Sequence, residues 1–136
     1  METEEKKPIH SFRDLNVYRR SYDAMLCVVK DIIPALPQKE KYDLQDQLLR
    51  SSKAVPRLIA EGYAKRHQHA GFQKYIDDAM AESNETSASL EQCRDLYGEC
   101  VRVDLCDKLI AEYDILGRQL YQLRLSWKRF EDRQPK

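Results

Sequence analysis

The chain has 136 residues and equal numbers of basic and acidic side chains, 23 of each. Zero net charge excludes the overall positive field of a dedicated nucleic-acid binder, while four glycines, five prolines and 34% charged residues suit one domain of long surface helices rather than a loop-rich fold. No apolar run approaches the roughly 18 residues of a membrane span, and METEEKKPIHSF lacks the apolar region of a signal peptide, so the expectation is a soluble cytoplasmic protein with no membrane partner.

Residues 1–11 are polar and read as a disordered tail. Ser11, with Asp14 three residues on, is a candidate cap for a first helix starting near Asp14. Leu15, Tyr18, Tyr22, Met25, Val29 and Ile32 recur at spacings of three and four and predict its buried seam. Val17, Leu26, Val28 and Ile33 widen the apolar cover beyond one stripe. The helix is expected to stop before Pro34, because a residue preceding proline avoids helical geometry.

The linker 34–42 holds two prolines, and Tyr42 and Leu44 are expected to pack back onto the bundle. Asp43 is a candidate cap for the second helix, which runs to about Lys65 with Gly62 near its end. Its central stretch, Gln45 to Gly62, carries apolar Leu48, Val55 and Ile59 on one face and Arg50, Lys53 and Arg57 on another. Pro56 lies inside it. An interior proline removes one backbone hydrogen bond and crowds the carbonyl four residues back, here Ser52, at a cost of about 3 kcal/mol, so a bend is expected there.

The third helix, about 69–98, has the cleanest pattern: Phe72, Ile76, Ala79, Ser83, Thr86, Leu90, Cys93 and Tyr97. Its small middle lets a neighbouring helix approach closely. Gly98 marks its end. A fourth helix, about Asp104 to Phe130, follows with Leu105, Leu109, Tyr113, Leu116, Leu120, Leu123, Trp127 and Phe130 on its seam. Gly117 interrupts it at about 1 kcal/mol against alanine, which points to close packing. The pattern is all-α: an antiparallel up-down-up-down four-helix bundle over 12–130, with a proline-bent second helix and a disordered tail 131–136.

Chemistry is sparse. The row Arg50, Lys53, Arg57 can track a phosphate backbone, or simply be a solvated face with Arg50 paired to Glu61 or Glu85; its shortness and the zero net charge favour the second. Charge is uneven along the chain: residues 43–69 are net +2, residues 70–98 net −4 and residues 118–136 net +4. The last stretch sets Arg118, Arg124 and Lys128 among Tyr121, Trp127 and Phe130, which suits single-stranded nucleic acid or plain packing beside solvated cations. Glu61 and Glu85 lack the Glu-x-x-His partners of a di-iron bundle and read as ion-pairing groups. His67 and His69, one residue apart, have no third ligand. Cys27, Cys93, Cys100 and Cys106 are not spaced for zinc and read as free thiols, with Cys93 a buried small hydrophobe. No Gly-rich phosphate loop and no nucleophile motif is present, so neither an enzyme nor a cofactor is expected.

Three segments carry a resemblance: FRDLNVYRRSYDAM (Phe12 to Met25), LLRSSKAVPRLIAEGYAKR (Leu48 to Arg66) and FQKYIDDAMAESNETSASLE (Phe72 to Glu91). They resemble the motifs of the ribosomal-RNA intervening-sequence family of small bacterial four-helix-bundle proteins. Arg50, Pro56, Ile59, Ala60, Glu61, Gly62 and Glu85 match its pattern; Leu58 stands where asparagine is usual and Glu82 where serine is usual. The resemblance implies structural roles for Arg50, Pro56, Glu61, Gly62 and Glu85, and assembly as a homopentamer. It extends to the accessory proteins of diversity-generating retroelements, basic pentameric barrels that engage nucleic acid and a reverse transcriptase. Two readings follow. One is a non-enzymatic homo-oligomeric scaffold or interaction protein, with a protein partner such as a reverse transcriptase. The other is an accessory protein binding RNA, or DNA, through Arg50, Lys53, Arg57, Arg118, Arg124 and Lys128.

Overall fold

The computed structural model describes residues 8–133, with side-chain surroundings through Trp127. Ser11 and Asp14 do form a capping box, but on a separate 3-10 turn, Phe12–Asp14. The Asp14 carboxylate accepts from the His10 and Ser11 N–H groups, and these bonds hold it below the usual carboxylate range. Leu15 is extended, and α1 (Asn16–Cys27) begins after it. The chain then loosens into a π turn, Val28–Ile32, and tightens into a 3-10 turn, Ile33–Ala35, that contains Pro34. Another 3-10 turn, Gln38–Glu40, leads to α2 (Leu44–Ala64); α3 (His69–Leu96) and α4 (Val103–Arg133) follow. The predicted tails fall largely on residues 1–7 and 134–136, which lie outside the described residues.

Two linker expectations change. Asp43 precedes α2 but makes no side-chain cap. Its backbone (φ −126°, ψ −100°) departs from the extended form that aims a cap at the helix. The Glu40 carboxylate replaces it, accepting from the Leu44 N–H at 3.2 Å and from the Tyr97 hydroxyl. Leu44 is buried as expected, but Tyr42 is 86% exposed, held beside Lys41.

The four helices pack around one core, α1 against α2 and α4, and α3 against α2 and α4. Ser51 meets Thr86, while Gly62 lies against Tyr75 and Ile76. Arg94 meets Asp107, and Asp77 meets Arg124. Partner numbers fall along one helix as they rise along the other, for α2 with α3 and for α3 with α4. The predicted α3 seam is the core seam: Phe72, Ile76, Ala79, Ser83, Thr86, Leu90 and Cys93 are all buried. So are Leu109, Tyr113, Leu116 and Leu120 of α4. Trp127 stacks on Phe72 (ring centroids 5.1 Å apart) and meets Tyr63 edge-on, closing one end of the core.

α2 continues through Pro56, which is itself buried. The Ser52 hydroxyl donates to the Leu48 carbonyl, so this buried polar group is satisfied within the helix. The Thr86 hydroxyl donates to the Glu82 carbonyl and lies 2.8 Å from the Ser51 hydroxyl, joining α2 to α3 through the core.

The first helix departs most from its predicted pattern. Its buried stripe is Val17, Ser21, Ala24, Val28 and Ile32, one residue out of phase with the predicted seam. Leu15 and Ile32 are buried as expected, but Tyr22 is 42% exposed and Tyr18, Met25 and Val29 are half-buried. Small Ser21 and Ala24 let α1 sit close to its neighbours, where tyrosines would hold it off. Val28 and Ile32, four residues apart, are the buried residues of the π turn and continue the inward side.

Candidate interaction surfaces

The basic row exists on the surface of α2. Arg50, Lys53 and Arg57 are all exposed. Arg50 pairs within its own helix with Asp46, at 3.7 Å, rather than with Glu61 or Glu85. The Arg57 Nε–H donates to the Lys53 carbonyl at 3.3 Å. Glu61 and Glu85 are exposed too. Glu82, at the position where the resemblance expects serine, is half-buried. Burial raises its carboxyl pKa, the neighbouring Glu85 raises it further, and Arg50 pulls the other way. Carboxylates therefore stand on both sides of the row and dilute its field.

The second basic set does not form one patch with the first. α4 lies across the core from α2. Arg118 is exposed, whereas Arg124 is half-buried with its Nε 2.9 Å from the Asp77 carboxylate. Six residues apart, Arg118 and Arg124 look to different sides of the helix. The Lys128 side chain lies outside the described residues, as does that of Phe130. Among the described residues no group of three His, Cys, Asp or Glu could hold a metal ion, and no helix is long and apolar enough to cross a membrane. Cys93 and Cys106 are buried free thiols, and burial pushes the Cys93 thiol up to about 12, far from a reactive thiolate.

Two other surfaces stand out, on opposite edges of the bundle. On α1, Arg20 reaches Glu112 of α4, so the flank bearing Tyr18, Tyr22, Met25 and Val29 lies toward α2. On α2, Ser51 and Gly62 face α3, so Leu49, 37% exposed, lies toward α1. Together these residues make an apolar strip along the outer α1–α2 edge. The spacing that predicts a core seam thus marks a second, outward apolar face of the same helix.

On the α3–α4 edge is an open groove of about 400 Å³, lined by Met80 and Asn84 of α3 and by Asp114, Gly117, Arg118 and Tyr121 of α4. Gly117 was expected to mark close packing, and it does the reverse. A Cβ built there meets nothing within 4 Å. The missing side chain helps open the groove. Tyr121 stands 48% exposed at its side. Sequence reasoning missed Met80 and Asn84, which lie off the α3 seam; the one signal was the glycine in α4, which looks the same for a close contact and for an empty place.

A family model described as 23S rRNA-intervening sequence protein matches residues 13–122. No curated protein matches the chain.

Proposed function

Because the chain belongs to the 23S rRNA-intervening sequence protein family, we propose that it works without catalysis, as a homo-oligomeric four-helix scaffold that presents its surfaces to a partner. The observation that carries this is the outward apolar stripe on α1. Val17, Ser21, Ala24 and Val28 already supply the helix's core face, so Tyr22, 42% exposed, and the half-buried Met25 and Val29 beside it leave apolar surface outside that face, while Tyr18 packs partly against the core. Each large side chain of this kind is worth about 1.5–3 kcal/mol when it passes from exposed to buried. A soluble chain that keeps such a stripe in the open usually covers it with another protein. Five copies is the number implied by the resemblance.

The test is solution mass by light scattering coupled to size exclusion, with the 260/280 nm ratio recorded across the peak. A multiple of 16.0 kDa supports the scaffold, and a monomer at micromolar concentration refutes it. Tyr22→Glu together with Met25→Glu should dissociate the assembly while helical content stays unchanged.

A second reading is an RNA-binding accessory role, favoured by Lys53 and Arg57 being exposed beside Arg50. Repetition in an oligomer would sum weak phosphate contacts by avidity. It requires binding that falls steeply with salt and disappears when Arg50, Lys53 and Arg57 are all changed to alanine. No binding at low salt refutes it.

A further inference from the structure

α3 and α4 run antiparallel in a register that can be followed along their whole contact. At one end Phe72 stacks on Trp127, with ring centroids 5.1 Å apart. From there the two core seams advance by the same steps, four and three residues in turn, upward from Phe72 on α3 and downward from Trp127 on α4. Ala79 thus falls level with Leu120, and Leu90 with Leu109, all of them buried. The last step sets Cys93 level with Cys106. Both are free thiols with no exposed surface. The neighbouring residues mark the same level, for the Arg94 guanidinium lies 3.0 Å from the Asp107 carboxylate.

Two thiols in one core layer have two states. Reduced, each packs as a small hydrophobe. Oxidised, they can share a bond, because small side chains let two helix backbones approach closely. That bond would close a loop over the turn between α3 and α4, which holds Gly98 and the exposed Cys100, and such a loop restricts the unfolded chain. Burial guards the pair in the closed bundle. It raises both thiols above their ordinary range, Cys93 to about 12, and a thiol is not a nucleophile until it ionises. Reaction therefore waits for this end to open. Helix ends beside a turn open locally at lower free energy than the middle of a core.

We propose that Cys93 and Cys106 form an oxidisable dithiol, which a small-molecule disulfide converts to a bond tying α3 to α4 when their shared end opens. One cysteine thiolate attacks the small disulfide, forming a mixed disulfide and releasing one small thiol. The other cysteine then attacks the protein sulfur of that mixed disulfide. The Cys93–Cys106 bond forms, the second small thiol leaves, and the two cysteine protons end on the two released thiols. Two electrons pass from the protein to the oxidant, and excess reductant runs the exchange backwards. The bond fixes the end of the bundle where the Tyr97 hydroxyl donates to Glu40 of the α1–α2 linker. Redox state thereby sets how readily this end opens. The device depends on α3 and α4 of one chain and not on the number of copies.

The test incubates the full chain with oxidised glutathione, with and without dilute urea to promote opening, quenches in acid and maps the disulfides by non-reducing peptide mass spectrometry. The expected product is one intramolecular bond joining the Cys93 and Cys106 peptides, two hydrogens lighter than the reduced pair. It should form faster in urea, raise the melting temperature and revert with dithiothreitol. Cys100→Ser should keep the bond. Cys93→Ala and Cys106→Ala should each abolish it together with the rise in melting temperature, with helical circular dichroism showing that each variant folds. The mapping itself uses the unsubstituted chain, so it decides the pairing whether or not a variant folds. A bond from Cys27 or Cys100 to either buried cysteine, or one between copies, overturns the pairing. So does a pair that stays reduced at a urea concentration where iodoacetamide alkylates both thiols, since they are then reachable and do not join. A Cys93–Cys106 bond that leaves the melting temperature unchanged refutes its role in holding the end closed.

Discussion

Gly62 and Gly117 are the same residue inside two helices, and they do opposite things. At Gly62 a Cβ would lie 3.2 Å from the Tyr75 Cβ and 3.5 Å from the Ile76 Cδ1. At Gly117 it would meet nothing within 4 Å. The first glycine lets α2 and α3 come together, and the second faces open space in the α3–α4 groove. Both carry the same helix-propensity cost of about 1 kcal/mol against alanine. What differs is what each cost secures: a packed interface in one place and a recess in the other.

The largest effect that would break this comparison is at Gly62. Leucine there should destabilise the fold by about 2–3 kcal/mol in urea unfolding, since the Tyr75 Cβ is fixed to its backbone and cannot yield. A loss under 0.5 kcal/mol would mean that α2 and α3 are not in tight contact. Next is the polar link across the same interface. Thr86→Val keeps the shape but removes the hydroxyl that joins Ser51, and should cost about 1–2 kcal/mol by stranding a buried donor.

On the other side of the molecule the signs reverse. The Tyr113 hydroxyl is buried and has no hydrogen-bond partner among the described residues, and burial raises its pKa. Tyr113→Phe should therefore stabilise the chain by about 1 kcal/mol. Gly117→Ala should stabilise it by somewhat less, about 0.8 kcal/mol, read as a rise in melting temperature under conditions that dissociate any assembly. Destabilisation at Gly117 would show that the position is crowded after all.

The smallest effect is a pH dependence at the end of the α2–α3 pair. Glu40 is held below its ordinary carboxylate range, first by the Tyr97 hydroxyl and then by the Leu44 N–H. A carboxylate whose pKa is lower folded than unfolded stabilises the fold above its unfolded value, near 4.5, and that contribution is lost as pH falls through the folded value. Glu40→Gln should lower the melting temperature at pH 7, and the gap to the unsubstituted chain should close as the pH is lowered toward 3. Tyr97, pushed up to about 12 by the same bond, adds the mirror image: its contribution is present below pH 10 and lost as pH rises through about 12. A gap that stays constant from pH 3 to 7 would remove the Glu40 contact from the account.

Much of the fold was legible because most apolar patterns had no rival. On α3 one stripe of apolar or small residues runs the length of the helix, and the large apolar residues off it, Tyr75, Met80 and Leu96, are too scattered to form a second, so Phe72 to Cys93 were assigned correctly. On α1 two stripes compete. Tyr18, Tyr22, Met25 and Val29 are larger and more apolar than Ser21 and Ala24, and hydrophobicity alone selects the larger set. Close approach selects the smaller. The candidate surfaces were less legible still, for the row on α2 could be read from spacing, but Asp46 beside Arg50 and Asp77 on Arg124 depend on which rotamers and neighbours meet.

The sequence by itself determined the four helices, the seams of α2, α3 and α4, and the family, because periodicity and motif spacing are properties of the chain. Only the tertiary structure decided which face of α1 turns inward, which glycine is crowded and which is open, and that the strip and the groove lie on opposite edges. Those are relations between helices, and they are fixed by how closely two backbones can approach, which no single helix records in its own pattern.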